Sequence, residues 1–262
     1  MELKINLEKV LFDHGFMPTP LTNEKKLKDF FNLVKPTPID VELIRLGGQG
    51  DGGYLVPNDL ENIEACFSPG VSTIAHFEEE ISKYGIKSYM IDFSVDNAPH
   101  YNPLFDFEKK WLGISDGANF IRLEDWVNEK CPNSTGDLML QMDIEGAEYE
   151  NILDTPEVTF RRFRTMIIEF HKMELLTCRP VFDFYYQVFS KLLRNFSVIH
   201  IHPNNCCGVY KYKNFEIPRV IEFTFQRKGS FELANKTPSF PHSLDRKNVE
   251  RHPELILPKC WW

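Results

Sequence analysis

The chain has 262 residues, with 30 Lys and Arg against 38 Asp and Glu, a formal net charge of −8. That length suits one or two domains and suffices for a full core, and 42% hydrophobic content excludes a disordered tail protein. The acidic balance argues against a dedicated nucleic-acid binder, and apolar runs such as Met166-Ile167-Ile168 fall far short of the roughly 20 residues of a membrane helix.

Leu27, Phe30, Phe31 and Val34 recur at helical spacing, and Lys35-Pro36 stops the run, which predicts an amphipathic helix within residues 22–35. Leu46 to Tyr54 holds five glycines between Gly47 and Gly53 and predicts an irregular loop. Ile63 to Phe67 reads as a first strand running into Ser68-Pro69-Gly70. A helix follows with Ile74, Phe77, Ile81 and Tyr84 on one face and Gly85 at its end. Further strands are predicted at Lys87 to Ile91, Trp111 to Ile114, Asp137 to Met142 and Thr165 to Ile168, with helices at Ile121 to Lys130 and Gly146 to Leu153 between them. Pro180 opens an apolar helix through Phe184, Val188, Leu192 and Phe196. Strands six and seven are Phe196 to Ile201 and Val220 to Phe225. Such β–α alternation predicts an α/β sheet covered on both faces.

The first residues, MELKINLEKV, mix charge into the stretch and show no apolar h-region, so no secretory signal is expected. Six cysteines without a CxxC give neither a disulfide framework nor a zinc ribbon, and free thiols in the cytoplasm are the expectation.

Open α/β sheets bind ligands beyond the carboxyl ends of their strands, at the switch point of strand order. Here those ends are acidic: Asp92 after strand two, Asp116 after strand three, Asp143 after strand four, and Glu169 with His171 after strand five. Turn formation and helix capping account for some such acids. An acid closing the second strand can accept hydrogen bonds from both ribose hydroxyls, which suits Asp92. The first turn, Ser68-Pro-Gly-Val-Ser72, lacks both GxGxxG and GxxxxGK[ST], so a pyrophosphate loop is unsupported and a nucleoside without phosphates, S-adenosylmethionine, is expected.

The run Leu140-Gln-Met-Asp143-Ile-Glu145-Gly-Ala-Glu148 resembles the D-[IV]-E-G-A-E signature of FkbM-family S-adenosylmethionine-dependent methyltransferases. Arg45 to Tyr54, Phe77-Glu78, His200-Ile-His202-Pro-Asn-Asn205 and Leu244 to Asn248 are similar to the methyltransferase-like branch of that family. The resemblance spans roughly residues 42–250, and Pro69 departs from the glycine-containing turn of relatives. It implies a Rossmann-like class I methyltransferase fold: a seven-stranded, mostly parallel sheet with helices on both faces and the last strand antiparallel. It further implies that Ser68, Gly70 and Ser72 lie under the amino acid part of the cofactor, that Asp92 holds the ribose, and that Ser115-Asp116 lie near the adenine. The Gly-rich segment would close over the cofactor with Asp51, Gly53 and Tyr54, or would be a plain surface loop. The expected division is a helical extension (1–40), a methyltransferase domain (41–228) and an irregular tail packed on it (229–262).

A hydroxyl acceptor needs a general base. Asp143, Glu169 and His171 are the candidates, with Asp143 also beside the cofactor; His171 is attractive for its near-neutral pKa. Glu145 and Glu148 share a helix start, one as a cap and one orienting a partner; Glu145, His202 and Asn204 are expected toward the substrate. Asp143, Glu169 and His171 would also offer ligands to Mg²⁺. His200 and His202 with Cys206-Cys207 offer zinc donors, but without a fixed loop geometry. The resemblance implies a carbohydrate acceptor, a sugar or nucleotide-sugar of a bacterial surface or capsular polysaccharide, and Tyr101, Phe105, Phe107 and Trp111 would suit a sugar-stacking wall or the core. The partner expected is thus a small molecule or glycan, not nucleic acid or membrane. A nicotinamide-dependent oxidoreductase on a similar sheet and a non-catalytic cofactor-binding module are the rival classes.

Overall fold

Asn23 opens the first long helix: its side-chain oxygen accepts from the Lys26 N–H at 2.9 Å, satisfying one of the helix's orphan donors. In the computed structural model, which describes residues 9–132 and 135–262, this helix, α1, spans Glu24–Leu33. The first eight residues, which carry most of the stretch read for an h-region, lie outside the described residues. Leu27, Phe30, Phe31 and Val34 are all buried, as their spacing predicts. Phe30 meets Phe189 edge-on at 5.1 Å and Phe31 meets Trp261 at 4.7 Å, so the N-terminal helix and the C-terminal tail share one core.

The elements then follow in order: β1 (Leu43–Leu46), β2 (Tyr54–Pro57), β3 (Ile63–Pro69), α2 (His76–Ser82), β4 (Lys87–Ile91), β5 (Phe105–Glu108), β6 (Trp111–Leu112), β7 (Phe120–Ile121), α3 (Leu123–Lys130) and β8 (Asp137–Met142). After them come α4 (Glu148–Asp154), α5 (Glu157–Phe160), β9 (Phe163–Phe170), α6 (Arg179–Asn195), β10 (Phe196–Pro203), β11 (Val209–Tyr212), β12 (Phe215–Pro218) and β13 (Ile221–Arg227). The central sheet has seven strands in the order β10-β13-β9-β8-β3-β4-β5. β5, β4, β3, β8 and β9 pair in parallel, while β13 runs antiparallel to both β9 and β10. One antiparallel strand inserted next to the edge of an otherwise parallel sheet is the class I methyltransferase form of the Rossmann-like fold.

Successive strand residues face opposite sides, and the two layers divide accordingly. Phe67, Leu138, Leu140, Met166 and Ile168 pack with α1, α3, α4 and α6; Cys66, Met139 and Ile167 pack with α2 and the β1–β2 hairpin. Phe67 meets Trp126 of α3 edge-on at 4.9 Å. Within the described residues no helix is long and apolar enough to cross a membrane.

Three sequence expectations are corrected. The third parallel strand is Phe105–Glu108, which pairs with β4, whereas Trp111–Leu112 pairs only with Phe120–Ile121 in a separate two-stranded ribbon. The seven-residue α2 begins at His76, so Ile74 and Tyr84 fall outside it and are exposed, leaving only Phe77 and Ile81 in the core. The Gly-rich segment is irregular as expected, and it forms the turn of an antiparallel hairpin with Leu46 opposite Tyr54. In α6, Phe184 is exposed, and Phe196 begins β10 rather than ending the helix.

Candidate active site

The chain leaves β3 for β4 and β5 on one side and reaches β8 and β9 on the other, so the switch point falls between β3 and β8. Their carboxyl ends are drawn together: Gly70 donates its N–H to Ile91 O at 2.9 Å, and Asp143 donates its N–H to Pro69 O at 3.3 Å. Above this junction lies a cavity of about 370 Å³, within the roughly 300–1,000 Å³ of small-molecule sites.

Four strand-end segments build its walls: Gly70 to Ser72 after β3, Asp92 and Ser94 after β4, Lys110 to Leu112 at β6, and Gln141 with Asp143 to Glu145 at β8. Asp51, Tyr54, Ile74, His76 and Phe77 close it from the hairpin and the start of α2. Asp92 is buried and its carboxylate is already committed: Oδ2 accepts from Ser72 N at 2.7 Å, and Oδ1 from the N–H and hydroxyl of Ser94 at 2.7 and 2.6 Å. A carboxylate has about four acceptor sites, so one remains toward the cavity. The Asp92 of this rim both fixes the β3 turn and presents an acceptor.

The Gly-rich turn is held from beneath. Arg45 donates from Nε to Gly48 O and from Nη2 to Gly50 O, each at 2.9 Å. The tail covers it: Asn248 Nδ2 bridges Asp51 Oδ1 (3.2 Å) and Glu222 Oε1 (2.6 Å), and Arg246 Nε reaches Gln49 Oε1 at 3.1 Å. At the floor, Gln141 Nε2 donates to Tyr54 Oη at 3.2 Å, and Tyr54 lies edge-on to Phe77 at 5.6 Å. Burial, then the nearby Asp143 and Glu169 carboxylates, push the Tyr54 phenol well above its ordinary pKa, so it stays protonated.

On the β8–β9 side the acids converge on one imidazole. Glu148, fully buried at the start of α4, accepts on Oε1 from Ile144 N (3.2 Å) and Gly146 N (3.0 Å) and meets His171 Nδ1 at 3.1 Å. His171 Nε2 then lies 3.4 Å from Glu145 Oε2, 3.4 Å from Glu169 Oε1 and 3.8 Å from Asp143 Oδ1. Burial pushes Asp143 up to about 7, with Glu145, Glu148 and Asp51 adding to the rise and His171 opposing it. Burial, reinforced by Asp143 and Glu222, holds Glu169 well above the carboxylate range. Burial depresses His171, but the hydrogen bond and charge of Glu148, with Asp143 and Glu145, outweigh it and leave the ring's pKa raised. Ligand atoms of Asp143, Glu145 and His171 lie within 4.8 Å of one another. Two carboxylates and an imidazole would suit a hard divalent cation. No other such trio of His, Cys, Asp and Glu occurs among the described residues, the zinc donors of the sequence reading included.

Asp51, Tyr54, Gly70, Ser72, Asp92, Asp143 and Glu145 therefore meet at one cavity, with Glu169 and His171 directly behind Asp143. The other predicted site residues lie elsewhere. Ser68 is fully buried on the α2 side of β3, its hydroxyl 3.5 Å from Cys66 Sγ and hydrogen-bonded to Glu78. Ser115 and Asp116 are exposed in the β6–β7 connection, and Trp111 and Leu112 line the wall instead, because the parallel strand ends earlier than expected. Gly53 backs onto Arg45. His202 is buried against Glu222, Nδ1 to Oε2 at 3.0 Å, and Asn204 Nδ2 donates to both Glu169 oxygens at 3.3 Å. Burial lowers and the Glu222 charge raises the His202 ring, for a net rise to about 9. His200 pairs with Asp245 at 2.8 Å. Of the aromatic candidates only Trp111 reaches the cavity; Phe105 and Phe107 pack on Met90, and Tyr101 is exposed.

Gln141, Lys110 and Asn248 were missed. Gln141 lies two residues before Asp143 on the same strand face, a period-two signal in plain view. Asn248 closes the Leu244 to Asn248 segment that resembles the family, but nothing local gives it a role, since its partners lie 26 and 197 residues away.

Sheet order and an acid-rimmed cavity at the switch point define an α/β protein of the class I methyltransferase architecture. No family model and no curated protein matches the chain. Among solved structures it is similar to the fibrillarin/Nop5p complex, at 10% identity over 64% of this chain and 74% of that one, with a TM-score of 0.39. It is also similar to a proposed RNA methyltransferase from Pyrococcus horikoshii, at 14% identity over 79% and 98%, with a TM-score of 0.33. The fold assignment rests on the strand order itself rather than on these distant likenesses.

Proposed function

We propose that the chain is an S-adenosylmethionine-dependent O-methyltransferase acting on a carbohydrate hydroxyl. The observation that carries this reading is the single cavity that joins Asp92, at the end of β4, to Asp143, at the end of β8, across the switch point. The residues suit the cofactor: Gly70 brings bare backbone to the floor, Asp92 has one acceptor site left for a ribose hydroxyl, Trp111 and Leu112 offer an apolar wall for a base, and the acidic rim complements a sulfonium cation. The absence of a phosphate-cradling turn favours this nucleoside over a dinucleotide. The FkbM resemblance of Asp143-Ile-Glu-Gly-Ala-Glu148 supports the family, and with it the choice of a sugar or nucleotide-sugar of a bacterial surface polysaccharide.

Bound here, S-adenosylmethionine supplies an already activated methyl group. What remains for the protein is to align the acceptor and take its proton. Asp143 faces the cavity with a carboxylate whose proton affinity is near neutral. His171 stands behind it to share the proton, and Glu169 and Glu145 surround the pair. A net charge of −8 and this acidic rim oppose a polyanionic acceptor, so the RNA chemistry named for the Pyrococcus protein is not carried over.

Calorimetry with S-adenosylhomocysteine and with NAD tests the reading. Micromolar binding of the former and no heat from the latter is expected; the reverse makes the chain an oxidoreductase. Transfer from methyl-labelled cofactor to a panel of UDP-linked hexoses is expected to label a sugar oxygen, and cofactor binding without transfer to any acceptor would mark a non-catalytic module. Asp92→Ala should weaken S-adenosylhomocysteine binding about 10- to 100-fold, since hydrogen bonds to a charged group contribute about 1.5–3 kcal/mol and the β3 turn loses its anchor. Unchanged affinity would place the ribose elsewhere.

A further inference from the structure

Three glutamates follow one another at Glu78, Glu79 and Glu80, and only the first is buried. Glu78 falls on the same stripe of α2 as Ile81, three residues on, and so turns inward. It is 2% exposed, yet it lies in the wall of the cavity, at the β3–α2 end that Gly70, Ser72 and His76 also line. Its carboxyl accepts from the Ser68 hydroxyl and its own backbone N–H, and no lysine, arginine or histidine among the described residues pairs with it. Burial pushes its pKa up, opposed only by those two hydrogen bonds. A buried carboxylate without a cation is costly, and neither proton transfer nor ribose binding uses this one. What it lacks is a positive charge on the cavity side.

We propose that Glu78 binds the α-ammonium of the cofactor and thereby makes the site select adenosyl thioethers that carry one. The inference rests on the methyltransferase reading and adds the residue that recognises the cofactor's amino acid end. S-adenosylmethionine presents two cations: the sulfonium, which has to face the acceptor beside Asp143, and the ammonium at the far end of its amino acid chain. With the ribose at Asp92, beyond β4, and the methyl toward Asp143, beyond β8, the amino acid end falls over β3, which lies between those strands. The helix that follows β3 is α2, and it delivers Glu78 there. Of the other acids at the cavity, Asp92 serves the ribose, Asp51 is exposed and held by Asn248, and Asp143 and Glu145 face His171. An ammonium against Glu78 supplies the neighbouring charge that favours its ionised form.

Calorimetry on the full chain with two ligands tests it: S-adenosylhomocysteine, which has the ammonium and no sulfonium, and its deaminated analogue, with hydrogen in place of the amino group. Wild type is expected to bind the analogue about 10- to 100-fold more weakly, the range for a hydrogen bond to a charged group. Glu78→Gln should weaken S-adenosylhomocysteine by a similar factor and the analogue by less than about threefold, so that the two losses do not add. Asp92→Ala, by contrast, should weaken both ligands alike. Equal losses for both ligands in Glu78→Gln would reduce Glu78 to a wall residue and overturn the proposal, as would full discrimination kept by that variant. Discrimination lost in Asp51→Asn instead would give the ammonium to Asp51 and overturn it too. If Glu78→Gln does not fold, Glu78→Asp, which keeps the charge but draws it back, takes its place: reduced discrimination is expected, and undiminished discrimination sinks the idea. No heat from S-adenosylhomocysteine in wild type removes the methyltransferase reading and this proposal with it. Binding of both ligands equally by wild type removes the proposal alone.

Discussion

Asp143→Asn is expected to reduce methyl transfer by about 10²–10⁴-fold, the range for loss of a general base, while changing S-adenosylhomocysteine affinity by no more than a few-fold. Asparagine matches the carboxylate in shape but cannot take up the acceptor's proton. The pH dependence follows from the same group. Burial first, and then its acidic neighbours, raise Asp143 to about 7. Only the ionised form is a base, so kcat should climb about tenfold per unit below that value and level off above it. The neighbours share the proton, so the midpoint belongs to the Asp143–His171–Glu169 group as a whole. A flat profile from pH 5.5 to 8.5, or an Asn variant with wild-type turnover, would remove Asp143 from the reaction. His171→Ala should fall in the same direction.

Gly70→Ala should destabilise the protein by about 3–5 kcal/mol, left-handed strain and overpacking together, measured by denaturant midpoint. Gly70 has a φ of +88°, and a Cβ there would fall 1.7 Å from the Asp143 carbonyl oxygen and 3.2 Å from Ile144 Cγ2. The obstacle is the backbone at the end of β8, which has no rotamer to yield. Gly85→Ala is the matched control: its φ is +77° with open space around it, so only strain of about 1 kcal/mol applies. A Gly70 variant no less stable than the Gly85 variant would contradict the close approach of the Asp143 carbonyl to Gly70. The same substitution should abolish cofactor binding, because it thrusts β8 away from the cavity floor.

Much of this was legible along the chain. Lys87–Ile91 and Asp137–Met142 form strands over the very residues that alternation and turn signals marked, so Asp92 and Asp143 could be placed at strand ends. The third strand was misplaced because Phe105–Glu108, a four-residue Phe-Asp-Phe-Glu, carries little apolar signal, whereas Trp111 to Ile114 looks more hydrophobic in isolation. Pairing with β4 decides the matter, and pairing is a long-range fact. The displaced strand end in turn moved the expected adenine wall from Ser115-Asp116 to Trp111-Leu112. Ser68 failed for a smaller reason: alternation turns it with Cys66 toward α2, away from the cavity.

The sequence by itself determined the α/β alternation, the apolar face of α1 and the acids that end β4 and β8, because periodicity, capping and turn chemistry act between residues a few positions apart. Only the tertiary structure decided which acids meet. His171 faces four carboxylates because two loops and α4 converge on it, and Asn248 ties Asp51 to Glu222 across the whole length of the chain. Burial then raised the proton affinity of Asp143 and Glu169. Desolvation depends on what packs around a group, and no local run of residues encodes that.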